Sequence, residues 1–328
     1  MIVYDKRNIR TWSLLGPSGA HGTAAVELAE TDPRVLFLTA DLCFFSGLER
    51  FKAAYPDRIY NVGIAEQNML GIAGGLAKEG FVPFCNTYAS FCASRCADQV
   101  RVNMSYMGLP IKLIGLTAGY GAGVLGATHA SIEDVSLMRA LPNITVISPA
   151  DCTEIIKTIL AAAKTPDPTY IRLTGPMNTP IVYKEDYKFE IGKAIYIKEG
   201  EDVCFIATGS MVYQTVQASK LLEKEGVSCG VINMHTIKPL DVDTVIVALG
   251  TGPNPIIQMS ALADGLEFDV DRKGYFVVDA ETRETSVSKI YAGGDVAPVG
   301  ASNAINAMGA GKKAAKAINK YLSDHIVN

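Results

Sequence analysis

Short apolar runs alternate with segments of helical periodicity along most of the chain. The runs are rich in Val, Ile, Leu and Phe, and they predict buried strands at 35–40, 59–62, 81–87, 111–117, 145–148 and 169–173. Between them, apolar and small residues recur every three or four positions, which predicts helices at 19–30, 66–79, 91–104, 134–140 and 151–164. Strands that alternate with helices through short loops are typical of an α/β fold built on a doubly wound parallel sheet.

A segment rich in proline, asparagine and threonine, residues 176–187, predicts a domain boundary. The chain after it predicts one compact βαβ unit over 203–234, and the pattern changes again after Asp241. The predicted organisation is an arm over 1–11, a larger domain over 12–180, the start of a smaller α/β domain over 188–241, and a tail over 242–328.

The composition narrows the class of protein. Hydrophobic residues make up 48% and charged residues 20% of the chain, which is the balance of a soluble globular protein. The formal net charge of −4 shows no basic excess, so nucleic acid is not expected as a partner. No apolar run reaches the ~18 residues of a membrane span. The first ten residues lack a signal-peptide core, so we expect a cytoplasmic protein without membrane contact.

Seven cysteines are scattered through apolar surroundings, and this odd number suits reduced, buried thiols. Cys92 and Cys96 share a predicted helix face, but no second pair and no nearby histidine completes a metal site. We therefore expect these thiols to be structural and this chain to bind no metal ion of its own.

The segment 61–80 combines a strand end, a tight turn and a helix that carries Glu66 in its first turn. A glutamate there is favoured by the helix dipole alone, and the glycines that follow can serve packing alone. The alternative is a functional carboxylate beside a bare helix face that lets another backbone or a flat ligand come very close. Tyr88, Phe91 and the glycine-rich loop 117–129 also lie at predicted carboxyl ends of strands, where such sheets bind ligands, and this favours the second interpretation.

The glycine-rich loop 117–129 fits neither the nucleotide P-loop nor the dinucleotide-binding fingerprint. Its glycines can bring main-chain donors close to a ligand. His129, at the end of the loop, can act either as a local hydrogen-bonding partner or as a catalyst. Tyr88 and Phe91 can pack in the core or offer a flat face to a heteroaromatic ring.

Three segments, 61–80, 86–101 and 126–143, resemble transketolase. More narrowly, residues 12–241 are similar to the carboxyl-terminal section of a split, two-subunit transketolase. 1-Deoxyxylulose-5-phosphate synthase and the β subunit of 2-oxo acid dehydrogenases share much of the pattern. The resemblance implies a thiamine diphosphate pyrimidine-binding domain and the transfer of a two-carbon ketol unit from a ketose to an aldose, usually as their phosphates.

The resemblance also implies which residues contact the cofactor. Glu66 would hydrogen-bond N1′ of the aminopyrimidine, favouring the tautomer that takes the proton from the thiazolium carbon. Phe91 would stack on the pyrimidine, with Tyr88 beside it. Asp41 and Ile64 complete the implied cofactor-binding residues.

Three further residues are implied at the substrate. His129 would contact a substrate oxygen and help a proton move as a carbon–carbon bond of the ketose breaks and reforms. The family serine that follows the 40–42 segment is displaced to Ser46. Arg172 is a candidate either for contact with a substrate phosphate or for an ion pair.

The substrate-binding pattern departs from that of the family at three positions. Leu125 stands in place of an aspartate that reads a substrate hydroxyl, and Ser18 stands in place of an arginine that contacts phosphate. Ala118 replaces a histidine. These departures leave open whether the donor is a standard sugar phosphate.

The chain contains no Gly-Asp-Gly segment followed by the asparagine with which the family holds Mg²⁺ and the cofactor's diphosphate. The resemblance therefore implies half of an active site. We expect a partner subunit, a transketolase amino-terminal section, to supply the Mg²⁺–diphosphate site. The expected assembly is α₂β₂, with a homodimer of this chain at its core and with thiamine diphosphate and the sugar bound at the interfaces.

The tail after residue 241 resembles a different family, the flavin-dependent pyridine nucleotide oxidoreductases, and most closely the glutamate synthase small subunit type. A gene fusion, natural or designed, would explain the junction near 241–244. The segments that carry this resemblance are 243–255, 285–295 and 304–315.

In that second family, Asp295 would bind the ribityl chain of FAD, with Gly294 and Met308 also near the flavin. The fingerprint for the FAD pyrophosphate is absent, as is the NAD(P)H domain, so we do not expect bound FAD. Two other interpretations of the whole chain stay open at this point. One is a flavin-dependent electron-transfer component, and the other is an inactive fusion protein.

Overall fold

The computed structural model describes residues 2–121 and 123–244, together with shorter pieces of the remaining chain. Those pieces are 267–272, 275–288, 292, 313, 316–318 and 320. The chain divides into two compact units, Met1–Asp241 and Val242–Asn328. The first unit contains both described sheets.

The strands of the first unit build one large and one small sheet. The strands are β1 (Val35–Thr39), β2 (Ile59–Asn61), β3 (Val82–Tyr88), β4 (Lys112–Leu116), β5 (Thr145–Ile147), β6 (Thr169–Arg172), β7 (Ile195–Lys198), β8 (Val203–Ala207), β9 (Cys229–Asn233) and β10 (Thr236–Lys238). The main sheet has the order β10-β5-β6-β4-β3-β1-β2, and all of its pairs are parallel except β10 with β5. The second sheet has the order β7-β9-β8. The predicted α/β architecture on a parallel sheet is confirmed.

Helices cover both faces of the main sheet. The described helices are α1 (Lys6–Thr31), α2 (Glu49–Ala54), α3 (Glu66–Lys78), α4 (Ala89–Ala93), α5 (Ala97–Gln99), α6 (Asp134–Ala140), α7 (Cys152–Ala162) and α8 (Met211–Lys224). Phe37 of β1 packs in a cluster with α1 and α7, whereas Leu38 packs in a second cluster with Met69 and Leu70 of α3. Because successive strand residues face opposite sides, a strand covered on both faces is apolar throughout.

The first helix starts much earlier than the periodicity predicts. It begins at Lys6 and not near residue 19, and the Asp5 carboxylate caps it by accepting from the Asn8 amide at 2.8 Å. The expected arm over 1–11 is therefore helical from Lys6 onward, and Ile9 is buried in the core. An amphipathic start, sealed by a polar cap, anchors the N-terminal segment.

A kink inside α1 explains why the sequence pattern does not reveal its continuity. Gly16 has a φ of 73° and Pro17 follows it, so the helical conformation is interrupted at this point. A Cβ on Gly16 would lie 2.8 Å from the Cα of Met177. Close packing and backbone conformation therefore both require glycine here.

The predicted helix over 91–104 is broken in the structure. α4 ends at Ala93, α5 begins at Ala97, and a π-helix continues over Val100–Tyr106. At the break, the Cys96 amide donates to the carbonyl of Phe91, five residues earlier, at 3.2 Å. Wide turns of this kind displace side chains from the regular helical face and are frequent at functional sites.

β10 returns the chain from the second sheet to the edge of the main sheet. Thr236 pairs with Ile147 of β5. Lys238 Nζ donates to the main-chain carbonyls of Arg139 and Leu141, at the carboxyl-terminal end of α6. Residues 236–238 therefore belong to the main sheet, although they follow the second sheet along the chain.

The second unit is described only in part. Val270 bridges to Phe276, and Val278 bridges to Thr285, both in antiparallel fashion. The expected FAD-contacting residues, Gly294, Asp295 and Met308, lie outside the described residues.

The cysteines of the chain are all free, and those at 85, 92, 96, 152 and 229 are buried. Burial raises the pKa of Cys96 and of Cys152 to about 12, which keeps these thiols protonated and unreactive. Among the described residues, no three His, Cys, Asp or Glu side chains converge to hold a metal ion. Within the same residues, no helix has both the length and the apolarity to cross a bilayer.

Candidate active site

The loops that follow β1 and β2 are joined by hydrogen bonds through Asn61. Asn61, at the end of β2, donates from Nδ2 to Asp41 Oδ1 at 2.8 Å and accepts from the Asp41 amide at 3.1 Å. Its oxygen also accepts from the Gly63 amide at 3.0 Å. Gly63 has a φ of 74°, a left-handed conformation that glycine adopts without strain. These bonds fix the turn from which α3 starts.

Glu66 opens α3, and its side chain is almost fully buried, with 1% of its surface exposed. Arg95 Nη1 donates to both of its carboxylate oxygens, at 2.7 Å to Oε1 and 2.9 Å to Oε2. The Thr87 hydroxyl donates to Oε1 at 3.2 Å. A buried carboxylate needs such partners because leaving water costs several kcal/mol per ion.

The same guanidinium lies over the ring of Phe91. The Arg95 Cζ atom is 4.0 Å from the centroid of that ring, which is a close cation–π distance. One planar, positively charged group therefore contacts the carboxylate of Glu66 and the face of Phe91 together.

Tyr88, Phe91 and His129 form an aromatic cluster next to this pair. The His129 ring lies 4.9 Å from that of Tyr88 and 5.1 Å from that of Phe91, both edge-on. The two other rings are 5.9 Å apart. His129 Nδ1 is 3.0 Å from the Thr128 hydroxyl, which fixes the orientation of the imidazole. The structure thus brings together Tyr88 and Phe91 from β3 and α4 and His129 from the glycine-rich loop.

Arg172 is engaged in a buried ion pair. Its Nε donates to Asp134 Oδ2 at 2.7 Å, and the Tyr170 hydroxyl donates to the same oxygen at 2.8 Å. Asp134 is fully buried, and its Oδ1 has no hydrogen-bond partner among the described residues. Burial raises the pKa of Tyr170 well above its ordinary value. Of the two roles left open for Arg172, the ion pair is the one that the structure displays.

The remaining predicted residues lie in different surroundings. Asp41 is exposed, and the Ile64 side chain is 73% exposed. Ser46 is fully buried, and its hydroxyl donates to the carbonyl of Cys43 at 3.0 Å, so the geometry does not support its substrate role. The Ser18 hydroxyl donates to the carbonyl of Phe45 at 2.7 Å.

Sequence reasoning missed three residues that shape the site, namely Asn61, Thr87 and Arg95. The sequence contains a pattern that points to Arg95. This residue follows Phe91 by one helical turn, on a predicted helix that comes after the carboxyl end of a predicted strand. No pattern in the sequence indicates the 2.7 Å contact between Arg95 and Glu66, which are 29 positions apart.

Two family models match the chain. Residues 18–177 match the transketolase pyrimidine-binding domain, and residues 192–257 match the transketolase C-terminal domain. The first match contains the whole candidate site from Asp41 to Arg172.

Curated relatives and solved structures agree with these models. A putative uncharacterized transketolase family protein of Sinorhizobium fredii is 39% identical over 230 residues, covering 69% of this chain and 65% of that protein. The 6-deoxy-6-sulfo-D-fructose transketolase subunit SqwH of Clostridium sp. is 37% identical, with 74% and 75% covered. A putative transketolase C-terminal section of Methanocaldococcus jannaschii is 34% identical, with 70% and 73% covered.

Among solved structures, one described as a split gene transketolase, inactive beta4 tetramer, matches with a TM-score of 0.67 at 37% identity, covering 72% of this chain and 77% of that one. Transketolase from Campylobacter jejuni matches with a TM-score of 0.64 at 25% identity, and the match spans 73% of this chain but only 38% of the larger one. From the two domain models and the relatives together, this chain belongs to the transketolase family.

Proposed function

We propose that this chain is the pyrimidine-binding subunit of a two-subunit, thiamine diphosphate-dependent transketolase. The observation that carries the proposal is the set of contacts around Glu66, a buried carboxylate at a helix start that accepts from Arg95. The Arg95 guanidinium lies over the Phe91 ring, and that ring packs against the His129 imidazole. Its reaction would move a two-carbon ketol unit from a ketose to an aldose.

The residues at this place fit the pyrimidine half of the cofactor. A flat group with N–H donors, the guanidinium of Arg95, already lies on Phe91 and donates to Glu66. An aminopyrimidine is also flat and also meets a carboxylate through ring nitrogen and amino groups, so the same surface suits it. When bound, thiamine diphosphate supplies a thiazolium carbon that becomes the nucleophile.

Each residue of the chain then has a defined task. Glu66 holds the proton at N1′ of the pyrimidine, and the Phe91 ring supports the face of that heterocycle. His129, which packs edge-on against Tyr88 and Phe91, holds or moves a proton at the oxygen of the sugar.

A partner subunit is part of the proposal. Among the described residues of this chain, no cluster of metal-binding side chains is available for the Mg²⁺ that accompanies the diphosphate. The names of its relatives include a C-terminal section, a split gene product and a subunit of an apulose-4-phosphate transketolase, each of which denotes part of a larger enzyme. We infer that an amino-terminal-section subunit binds the diphosphate, in an α₂β₂ assembly built on a homodimer of this chain.

The sugar specificity differs from that of a standard transketolase. Leu125 is 43% exposed in the loop where the family reads a hydroxyl with an aspartate, and Arg172 is paired with Asp134. The relatives' names include transketolase subunits for a sulfonated fructose and for apulose 4-phosphate. Phosphorylated, sulfonated and neutral ketoses therefore form the donor panel for the assay.

The test is ketol transfer after this chain has been mixed with a diphosphate-domain subunit, Mg²⁺ and thiamine diphosphate. Glu66→Gln abolishes transfer, because an amide does not take the role of a carboxylate at N1′. The control is Glu79→Gln, which alters an exposed glutamate after the last turn of the same helix. Full activity of the Glu66→Gln complex would contradict the proposal.

A second candidate reaction is that of 1-deoxyxylulose-5-phosphate synthase. The synthase of Dictyoglomus turgidum is 36% identical to this chain over 225 residues, which is 36% of that protein. Identifying the product of the assembled complex distinguishes the two reactions. Ketol transfer yields a ketose two carbons longer than the acceptor aldose, whereas the synthase reaction yields a deoxyketose phosphate.

A further inference from the structure

Arg95 contacts both residues that the proposed function assigns to the pyrimidine ring. Its Nη1 is 2.7 and 2.9 Å from the two oxygens of Glu66, and its Cζ is 4.0 Å from the centroid of Phe91. The carboxylate below it supplies hydrogen-bond acceptors, and the ring supplies a flat electron-rich face. A guanidinium and an aminopyrimidine are both planar. The nitrogens of either group can hydrogen-bond to the Glu66 carboxylate while its plane covers the Phe91 ring.

The carboxylate has little other support. Among the residues that the structure describes, the Thr87 hydroxyl is the other donor to Glu66, at 3.2 Å. A carboxylate that is 1% exposed cannot rely on water, so losing its charged partner without replacement is strongly unfavourable. The cofactor-free chain therefore needs Arg95, or something of similar chemistry, over Glu66.

Arg95 is also placed where it can leave. It lies in the turn between α4 and α5, and not inside a regular helix. Its side chain is 41% exposed, although the carboxylate that it contacts is buried. A long, partly exposed side chain on a turn can change rotamer toward solvent without displacing the buried residues around it.

We propose that Arg95 is a positioning residue that occupies the pyrimidine seat in the cofactor-free chain and must swing away before the ring can bind Glu66 and Phe91. The guanidinium keeps Glu66 paired and Phe91 covered until the cofactor replaces it. This inference rests on the proposed function. It adds a competition between a side chain of the protein and the cofactor.

Competition between Arg95 and the cofactor predicts the direction in which cofactor affinity changes when Arg95 is removed. If the cofactor must break the Arg95–Glu66 pair, removing Arg95 strengthens cofactor binding, whereas loss of a merely structural residue weakens it. We expect Arg95→Ala to lower the dissociation constant of thiamine diphosphate about tenfold, which corresponds to about 1.4 kcal/mol. Arg95→Lys, which keeps the charge but loses the planar group, gives a smaller change.

The experiment is calorimetric titration of the full chain, assembled with a diphosphate-domain subunit, with thiamine diphosphate in the presence of Mg²⁺. Arg101→Ala is the matched control, since Arg101 is an exposed arginine of the neighbouring π-helix. Arg95→Gln serves as a second variant in case the alanine variant is poorly folded. The effect of Arg95→Ala disappears in a Glu66→Gln background, because the competing pair no longer exists there.

The outcomes separate this inference from the function on which it rests. Tighter binding by Arg95→Ala or Arg95→Gln supports the inference. Equal or weaker binding by those variants, with wild-type binding that still depends on Glu66, overturns the inference and leaves the function standing. No binding by wild type or by any variant overturns both.

Discussion

Asn233 of β9 donates from Nδ2 to both carboxylate oxygens of Glu154 in α7, at 3.0 Å each. The same nitrogen lies 2.7 Å from the Tyr183 hydroxyl, and the Tyr187 hydroxyl donates to Glu154 at 3.1 Å. A strand of the second sheet, a helix on the main sheet and the segment between them therefore meet at one buried carboxyl group. This polar junction links the two sheets of the first unit.

The Glu154 junction makes stability depend on pH. Burial raises the pKa of Glu154 from 4.5 to about 7, so the folded chain keeps a proton that the unfolded chain releases at lower pH. The contribution of Glu154 to stability is therefore present below pH 4.5 and is lost as the pH rises to about 7. We expect a loss of about 1–3 kcal/mol over that interval.

Urea unfolding at a series of pH values tests this expectation. Glu154→Gln, which stays neutral throughout, should flatten the slope between pH 4.5 and 7. Glu79→Gln is the control. Because the Glu79 side chain is exposed, its replacement should leave the slope of the unfolding free energy against pH unchanged. An unaltered slope in Glu154→Gln would show that other groups cause the pH dependence.

The ion pair between Arg172 and Asp134 makes a prediction about stability. Arg172→Ala leaves a fully buried carboxylate with the Tyr170 hydroxyl as its remaining described partner, and we expect a loss of about 3–5 kcal/mol in the free energy of unfolding. Adding Asp134→Asn recovers part of that loss, since no buried charge remains. Tyr170→Phe, the milder control, costs about 1 kcal/mol.

Thermal and urea unfolding of wild type and these variants measure the differences. If Arg172→Ala is as stable as wild type but raises KM for phosphorylated ketoses alone, Arg172 reads the substrate and the structural interpretation is wrong.

Two helical glycines should respond in opposite ways to substitution by alanine. A Cβ on Gly22 in α1 would overlap the carbonyl oxygen of Gly47, so the backbone must move, and we expect a loss of about 2–3 kcal/mol. A Cβ on Gly71 in α3 meets nothing within 4 Å, so Gly71→Ala raises stability by about 0.5–1 kcal/mol. Melting temperatures of the two purified variants check both signs, and a stable Gly22→Ala chain would contradict the close packing of α1 on that loop.

The bare face of α3 can be tested as a subunit interface. Gly71 and Gly75 are exposed and have open space where a Cβ would stand. If another subunit packs closely there, the double variant Gly71→Ala/Gly75→Ala folds at least as well as wild type but weakens association by about tenfold or more. Sedimentation velocity over a range of concentrations measures this effect. Unchanged association would place the interface on another surface.

The strands and helix starts that can be predicted from the sequence are those that local residue patterns determine. Val35–Thr39 and residues 113–116 are continuous apolar or small runs because both faces of these strands are covered. Glu66 lies at the start of a helix, as the helical spacing predicts. The break after Ala93 and the kink at Gly16 were missed, because each depends on packing against distant segments. Periodicity describes neighbours along the chain and is blind to such contacts.

The residues of the candidate site also depend on contacts between segments that are distant in the sequence. Phe91 and His129 were assigned through family resemblance, which transfers a three-dimensional arrangement that no spacing rule contains. Arg95, by contrast, is absent from the predicted site, because nothing near it in sequence indicates a buried acid 29 positions earlier. The pairing of Asp134 with Arg172, 38 positions apart, was open for the same reason.

The antiparallel strand β10 has a consequence for how the main sheet avoids pairing with other chains. Exposed sheet edges recruit other chains and promote aggregation, and short edge strands that stop at a proline suppress such pairing. β10 borders the main sheet with three residues and is followed directly by Pro239. Among the strands that the structure describes, the one at this edge of the main sheet is therefore short and ends at a proline, which disfavours pairing with the sheet of another chain.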